Sequence, residues 1–126
     1  MTGVRGEERV TGAVVDAMRL PASDLCGATS LGGFAALLQG ARLLVCSDTG
    51  AAHLAAAVGV PAVVVFLSGD PVRWLHSGHR GARVAVGCNP CPHLECPIDH
   101  RCATRLSAAH VLAEARAALD ATMVAS

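Results

Sequence analysis

The sequence predicts an α/β fold, in which an incomplete parallel sheet is flanked by helices. Three observations carry that prediction. Short apolar runs, 43–46 with β-branched Val45 and 62–67 with three consecutive Val, alternate with stretches whose apolar residues recur every three or four positions. The joints between them are short and built from Gly, Pro, Ser, Thr and Asp, so the pattern is one of parallel βαβ units. The 126-residue chain is also 52% hydrophobic and only 16% charged, which excludes a disordered polypeptide and suits a single packed domain.

Taken in order, residues 7–19 place Val10, Ala13, Val14, Ala17 and Met18 on one helical face, and Pro21 stops the run. Asp24-Leu25-Cys26 is a marginal extended piece. Ser30 is an N-cap for a helix over 31–39, which Gly40 ends. Residues 43–46 read as a buried strand, residues 51–58 as an apolar helix closed by Gly59 and Pro61, and residues 62–67 as the strongest strand of the chain. A Gly-, His- and Arg-rich loop over 68–82 follows, in which His76 and His79 read as solvent-exposed. A third strand is expected at 83–86 and a final helix at 107–121. With no strand ahead of the first helix, the sheet is expected to be Rossmann-like but short of its first βα unit.

Charge and composition exclude several functions. Net charge is zero, every basic residue is Arg, and the aromatics are Phe34, Phe66 and Trp74. The basic stripe and stacking platforms of a nucleic-acid binder are therefore missing. The longest apolar run, 54–67, holds Gly59 and Pro61 and is shorter than the roughly 20 residues of a spanning helix. No signal peptide follows Met1, so a cytoplasmic location and reduced thiols are expected.

The chemistry concentrates in Cys46-Ser47-Asp48-Thr49-Gly50-Ala51-Ala52-His53. A buried strand ends there, a polar turn follows, and a helix begins. Ligands of open α/β sheets sit at the carboxyl ends of strands, and a helix N-terminus offers unpaired amides and partial positive charge to an anion. Thr49 can add a hydroxyl, Gly50 allows a phosphate close to the backbone, and His53 lies one turn further on. Asp48 can accept hydrogen bonds from sugar hydroxyls. The plainer alternative makes Asp48 or Thr49 a simple N-cap and His53 an ordinary helix residue. No P-loop, G-x-G-x-x-G or G-x-S-x-G motif is present.

The string Asp48-Thr49-Gly50-x-x-His53-Leu54-Ala55-Ala56-Ala57-x-Gly59-x-Pro61, followed by a hydrophobic strand and Asp70-Pro71, resembles glycosyltransferase family 9, the heptosyltransferase-like family. Thr29-Ser30-Leu31 upstream and Cys88-x-Pro90-Cys91, Cys96-Pro97 and Cys102 downstream resemble flanking segments of the same family. The resemblance implies a GT-B fold, of which this chain is part of the carboxyl-terminal, donor-binding domain. It implies transfer of a heptose-like sugar from a nucleotide-diphosphate donor, with an ADP-sugar favoured. Thr49 and Gly50 would bind the diphosphate, His53 would help hold it, Asp48 would contact the donor sugar, and Glu7 would bind the nucleoside ribose. Leu67-Ser68-Gly69-Asp70-Pro71 departs from the family's G-P-T-D-P loop. The amino-terminal acceptor domain, which carries the general base, is not represented, and an isolated chain is expected to be inactive.

Two other readings stay open. Cys88, Cys91, Cys96 and Cys102, in a cysteine-rich loop over 88–105, include one C-x2-C pair of the kind that grips zinc, so the chain could be a small zinc-binding module. The alternative for these four is a set of plain loop thiols, and Cys26 and Cys46 read as core residues. The third reading is a truncated remnant without independent activity.

Overall fold

The computed structural model describes residues 1–93 and 95–124, without the side chain of Val124. It divides into two compact units, Met1–Ala36 and Leu37–Ser126.

In the amino-terminal unit, helix α1 (Glu8–Ala17) occupies the stretch that its periodicity predicts. Its start is held by its own acids: the Val4 amide donates to Glu7 Oε2 at 2.8 Å and the Gly6 amide to Glu8 Oε2 at 2.8 Å. Acids at this end also favour the helix dipole. The expected extended piece at 24–26 is not a strand. Instead, the Met1 amino group donates to Ser23 O at 2.7 Å, and the Leu25 and Gly27 amides donate to Met1 O and Gly3 O. That is a parallel pairing too short to make a ladder, and it gives the segment ahead of α1 the partner that the sequence did not reveal. Asp24 fixes the return of the chain, accepting from the Thr11 hydroxyl at 2.9 Å and the Cys26 amide at 3.0 Å. Thr11 is the buried polar residue of this unit, and the bond to Asp24 satisfies it. Helix α2 (Leu31–Gln39) spans the boundary of the units. Its predicted cap is present, with the Gly33 amide donating to Ser30 Oγ at 3.1 Å.

The second unit is built on a three-stranded parallel sheet in the order β1 (Leu44–Ser47), β2 (Ala62–Val65), β3 (Arg80–Ala82). Leu44 pairs with Ala62 and Ser47 with Val65, while Val63 pairs with Arg80 and Val65 with Ala82. Helix α3 (Gly50–Ala57) makes the crossover from β1 to β2 and packs on both. A short helix, α4 (Pro71–Trp74), leads to β3, capped by Asp70, whose carboxylate accepts from the Val72 amide at 3.0 Å. Helices α5 (Arg101–Thr104) and α6 (Ala108–Val124) complete the chain, α6 lying on β2 and β3.

Side chains alternate across a strand, and the packing follows from that rule. Val63 joins Ala82 and Ala118 in a buried cluster edged by Leu43, Val65, Val111 and Ala115, which is the α6 side. Ala62, Val64 and Phe66 point the other way and are equally buried, as are Ala52 and Ala55 of α3. The central strand is thus covered on both faces, as parallel sheets require. Small residues let α3 and α6 sit close to the sheet, and Phe66 is the largest side chain buried outright.

Two expectations need correcting. The loop over 68–82 contains both α4 and β3, and the third strand lies at 80–82 rather than 83–86. Val84 and Val86 have strong β propensity, but their backbone polar groups go elsewhere. Asn89 donates to Val84 O at 2.9 Å and Leu67 O at 3.2 Å, and its Oδ1 accepts from the Val86 amide at 3.2 Å and from Arg83 at 3.1 Å. One carboxamide therefore replaces a ladder across this turn.

Candidate functional site

The site forms where β1 and β2 end. Asp48 extends the ladder by donating its amide to Val65 O at 3.2 Å. The chain then turns through Thr49, which occupies the N-cap position of α3 with extended dihedrals but makes no side-chain cap bond. Its hydroxyl lies 3.3 Å from Ser47 O. Thr49 is thus the N-cap by position, as the plainer reading has it, while its hydroxyl makes no capping bond. The first amides of α3 lie ahead of the intrahelical ladder, and Thr49, Gly50 and His53 are exposed beside them. A Cβ at Gly50 would meet nothing within 4 Å, so there is room beside this residue.

Asp48 is half-buried, and its carboxylate lies against the Cα of Gly69, so closely that a Cβ there would overlap Oδ2. Gly69 in the Ser68-Gly69 segment thus makes room for Asp48. Cys46, half-buried on β1, has its thiol pushed up to about 11 by burial and by the Asp48 carboxylate. Like Cys26, it is half-buried rather than the core residue that its sequence context predicts, and its thiol stays protonated at neutral pH.

His53 does not stand alone. His76, from the loop after α4, places its Nε2 2.6 Å from His53 Nδ1. The edge of Trp74 lies across the His53 ring, with centroids 6.0 Å apart, and Arg73 stacks 4.9 Å over Trp74. His79 reaches back to α3, its Nε2 3.1 Å from Ala52 O. The sequence reading left His76 and His79 as exposed loop residues; both are half-buried. The signal that could have found them is the pair His76-x2-His79 beyond the carboxyl end of β2, where ligand sites of parallel sheets gather. Glu7 lies at the start of α1, exposed, in the amino-terminal unit.

The four cysteines of the 88–102 segment line one cleft of about 160 Å³, together with Leu67, Ser68, His93 and His100. The Cys91 amide donates to Ser68 O at 2.9 Å, which docks the loop beside the segment that touches Asp48. The Cys96 thiol accepts from the His100 amide at 3.3 Å. Backbone amides of Ile98 and His100 hold its pKa below the ordinary thiol range. The neighbouring Asp99 is paired with Arg101 at 2.9 Å. Among the described residues, no three His, Cys, Asp or Glu side chains converge closely enough to hold a metal ion.

Comparison with known proteins decides the family. The model of glycosyltransferase family 9 (heptosyltransferase) matches residues 3–101, well over half of the chain. The chain belongs to glycosyltransferase family 9. Among solved structures it is similar to the ADP-heptose LPS heptosyltransferase II of E. coli, with a TM-score of 0.79 at 21% identity over 97% of this chain. That likeness is one of fold, and it places the α/β sheet of this family 9 chain within a GT-B architecture. The match takes in 36% of the E. coli protein, so the chain spans about a third of that structure's length. No curated protein sequence matches. Among the described residues no helix is long and apolar enough to cross a membrane.

Proposed function

We propose that this family 9 chain supplies the donor-binding part of a sugar transferase. Its Asp48–His53 turn holds the diphosphate of a nucleotide-activated, heptose-like sugar, with ADP as the favoured nucleotide. The observation that carries this reading is the strand-end turn into α3, where Thr49, Gly50 and His53 stand exposed together at the helix head. When the glycosidic bond to the donor breaks, negative charge grows on the diphosphate. Amides and a helix dipole already aimed at that position stabilise it without reorganisation. Asp48, an acceptor at the same turn, suits the hydroxyls of the donor sugar. Glu7 is proposed for the nucleoside ribose on the family resemblance. Activation of the acceptor hydroxyl needs a base held against it, and this role is assigned to an amino-terminal acceptor domain. A cytoplasmic setting, where nucleotide sugars and free thiols coexist, is proposed with it; all six cysteines are free.

Titrating the protein with ADP, an ADP-sugar and a UDP-sugar while following amide shifts tests the reading. Perturbation centred on residues 47–53 is expected, larger with ADP than with UDP compounds. Silence of those amides at millimolar ligand sinks it.

The shared cleft of Cys88, Cys91, Cys96 and Cys102 supports a second reading, in which the thiols draw together around zinc. Metal analysis of protein purified without chelator decides it, and less than about a tenth of an equivalent ends it.

A further inference from the structure

We propose that His76 is a positioning residue for His53, selecting the tautomer that presents an N–H to the donor diphosphate. The inference rests on the proposed donor site and concerns a residue that the family motif does not contain.

Two imidazole nitrogens 2.6 Å apart must share one proton, so one ring donates and the other accepts. If His76 Nε2–H donates, His53 Nδ1 is the acceptor and a neutral His53 carries its hydrogen on Nε2. That atom then offers a donor to an anionic oxygen. In the reverse arrangement His53 Nε2 would be a bare lone pair, which repels phosphate. Of the two neutral arrangements, the first suits the anion site at the head of α3.

The loop that brings His76 there is fastened to α3 itself. A carbonyl only accepts, so the contact of His79 with Ala52 O at 3.1 Å puts a hydrogen on His79 Nε2. His79 Nδ1 is buried with no hydrogen-bond partner among the described residues. The His79 amide also donates to His76 O at 3.1 Å, closing a turn through Gly78 at φ +84°. The anchor thus falls on Ala52, the neighbour of His53, and the turn hands His76 to the His53 ring. Trp74 flanks the same ring in a T-shaped arrangement. His53 itself is exposed and open to ligand.

The test is long-range 1H–15N spectroscopy of the imidazoles in the full chain at pH 8, where an imidazole is predominantly neutral. Wild type, His76→Gln and His76→Leu are compared, each also titrated with ADP. The Gln amide restores an N–H donor; Leu keeps bulk without one. Ligand-free wild type and His76→Gln are expected to show His53 as the Nε2–H tautomer, and His76→Leu a mixture. ADP is expected to bind His76→Leu about two- to threefold more weakly than wild type, because affinity falls with the fraction of His53 in the competent tautomer, and His76→Gln like wild type. A His53 Nδ1–H tautomer in the wild type overturns the inference without any variant having to fold. So does a tautomer left unchanged in a folded His76→Leu. Absence of ADP binding by the wild type would instead remove the donor-site reading, and the ligand-free tautomers would still decide the role of His76.

Discussion

The Asp48–His53 turn and the cysteine loop both hold reactive side chains, and both touch the Ser68-Gly69 segment, yet they are built in opposite ways. The turn is made by the sheet: ladder bonds carry the chain to Asp48, α3 starts at once, and the backbone supplies the proposed binding groups. The cysteine loop has no ladder beneath it. It is tied by single bonds, from the Cys91 amide to Ser68 and from the Asn89 side chain to Leu67, Val84 and Val86. Four thiols share its cleft without three donors converging among the described residues. A site made of backbone inherits the rigidity of the fold, whereas a site made of loop side chains must be assembled by what it binds.

Phe66 offers the largest break of this contrast. It is fully buried at the end of β2, under the Gly69 segment. Phe66→Ala is expected to cost about 3–5 kcal/mol in urea denaturation, whereas Cys88→Ser, at an exposed loop position, should stay within about 0.5 kcal/mol. Equal losses would mean that the loop is as much a part of the cooperative core as the sheet.

Gly50→Ala separates folding from binding. The added methyl meets no protein atom and replaces a flexible residue in the first turn of a helix, so stability should hold or rise by up to about 1 kcal/mol. The methyl enters the space proposed for the diphosphate, so ADP affinity should drop severalfold in calorimetry. Unchanged affinity would move the anion away from the helix head. Gly69→Ala sharpens the same point at the neighbouring residue. It displaces the Asp48 carboxylate, and binding of the ADP-sugar should suffer more than binding of ADP alone.

Thiol reactivity compares the two regions directly. Cys46 titrates near 11, so at pH 8 only about one molecule in a thousand carries its thiolate, the form that reacts. Cys96 titrates below the ordinary thiol range and is therefore further ionised at every pH below its own pKa. Alkylation followed by mass spectrometry should label Cys96 first and Cys46 last, and Cys46 should gain reactivity only as pH climbs toward 11. The smallest effect is expected at the ion pair of Arg80 with Glu114, 2.6 Å apart, which links β3 to α6 while both side chains stay partly exposed. Glu114→Gln should cost less than about 1 kcal/mol and little of that should survive high salt.

Legibility in the sequence followed the range of the interactions. Helices α1, α2, α3 and α6 and strands β1 and β2 were readable because periodicity, caps and β-branched runs are local signals. Strand β3 was misplaced because its identity comes from pairing with Val63–Val65, while the more strand-like Val84 and Val86 are claimed by Asn89. The Asp48–His53 turn was legible as chemistry, since a strand end, a polar turn and a helix start are contiguous. The companions of His53 were not, because His76 and His79 lie 23 and 26 residues further along and meet α3 only through the crossover. The missing capping bond of the Thr49 hydroxyl was equally invisible, being a matter of rotamer and not of residue type.

Asn89 also has a chemical consequence for how this chain ages. Asparagine commonly decays to aspartate when the next backbone nitrogen attacks the side-chain amide and closes a cyclic imide. Here the next residue is Pro90, whose nitrogen has no hydrogen to lose, so that route is closed. An aspartate at this position would lack the two N–H donors that Leu67 O and Val84 O now receive. The residue that fastens the cysteine loop to the end of β2 is thus shielded from the slow hydrolysis that would unfasten it.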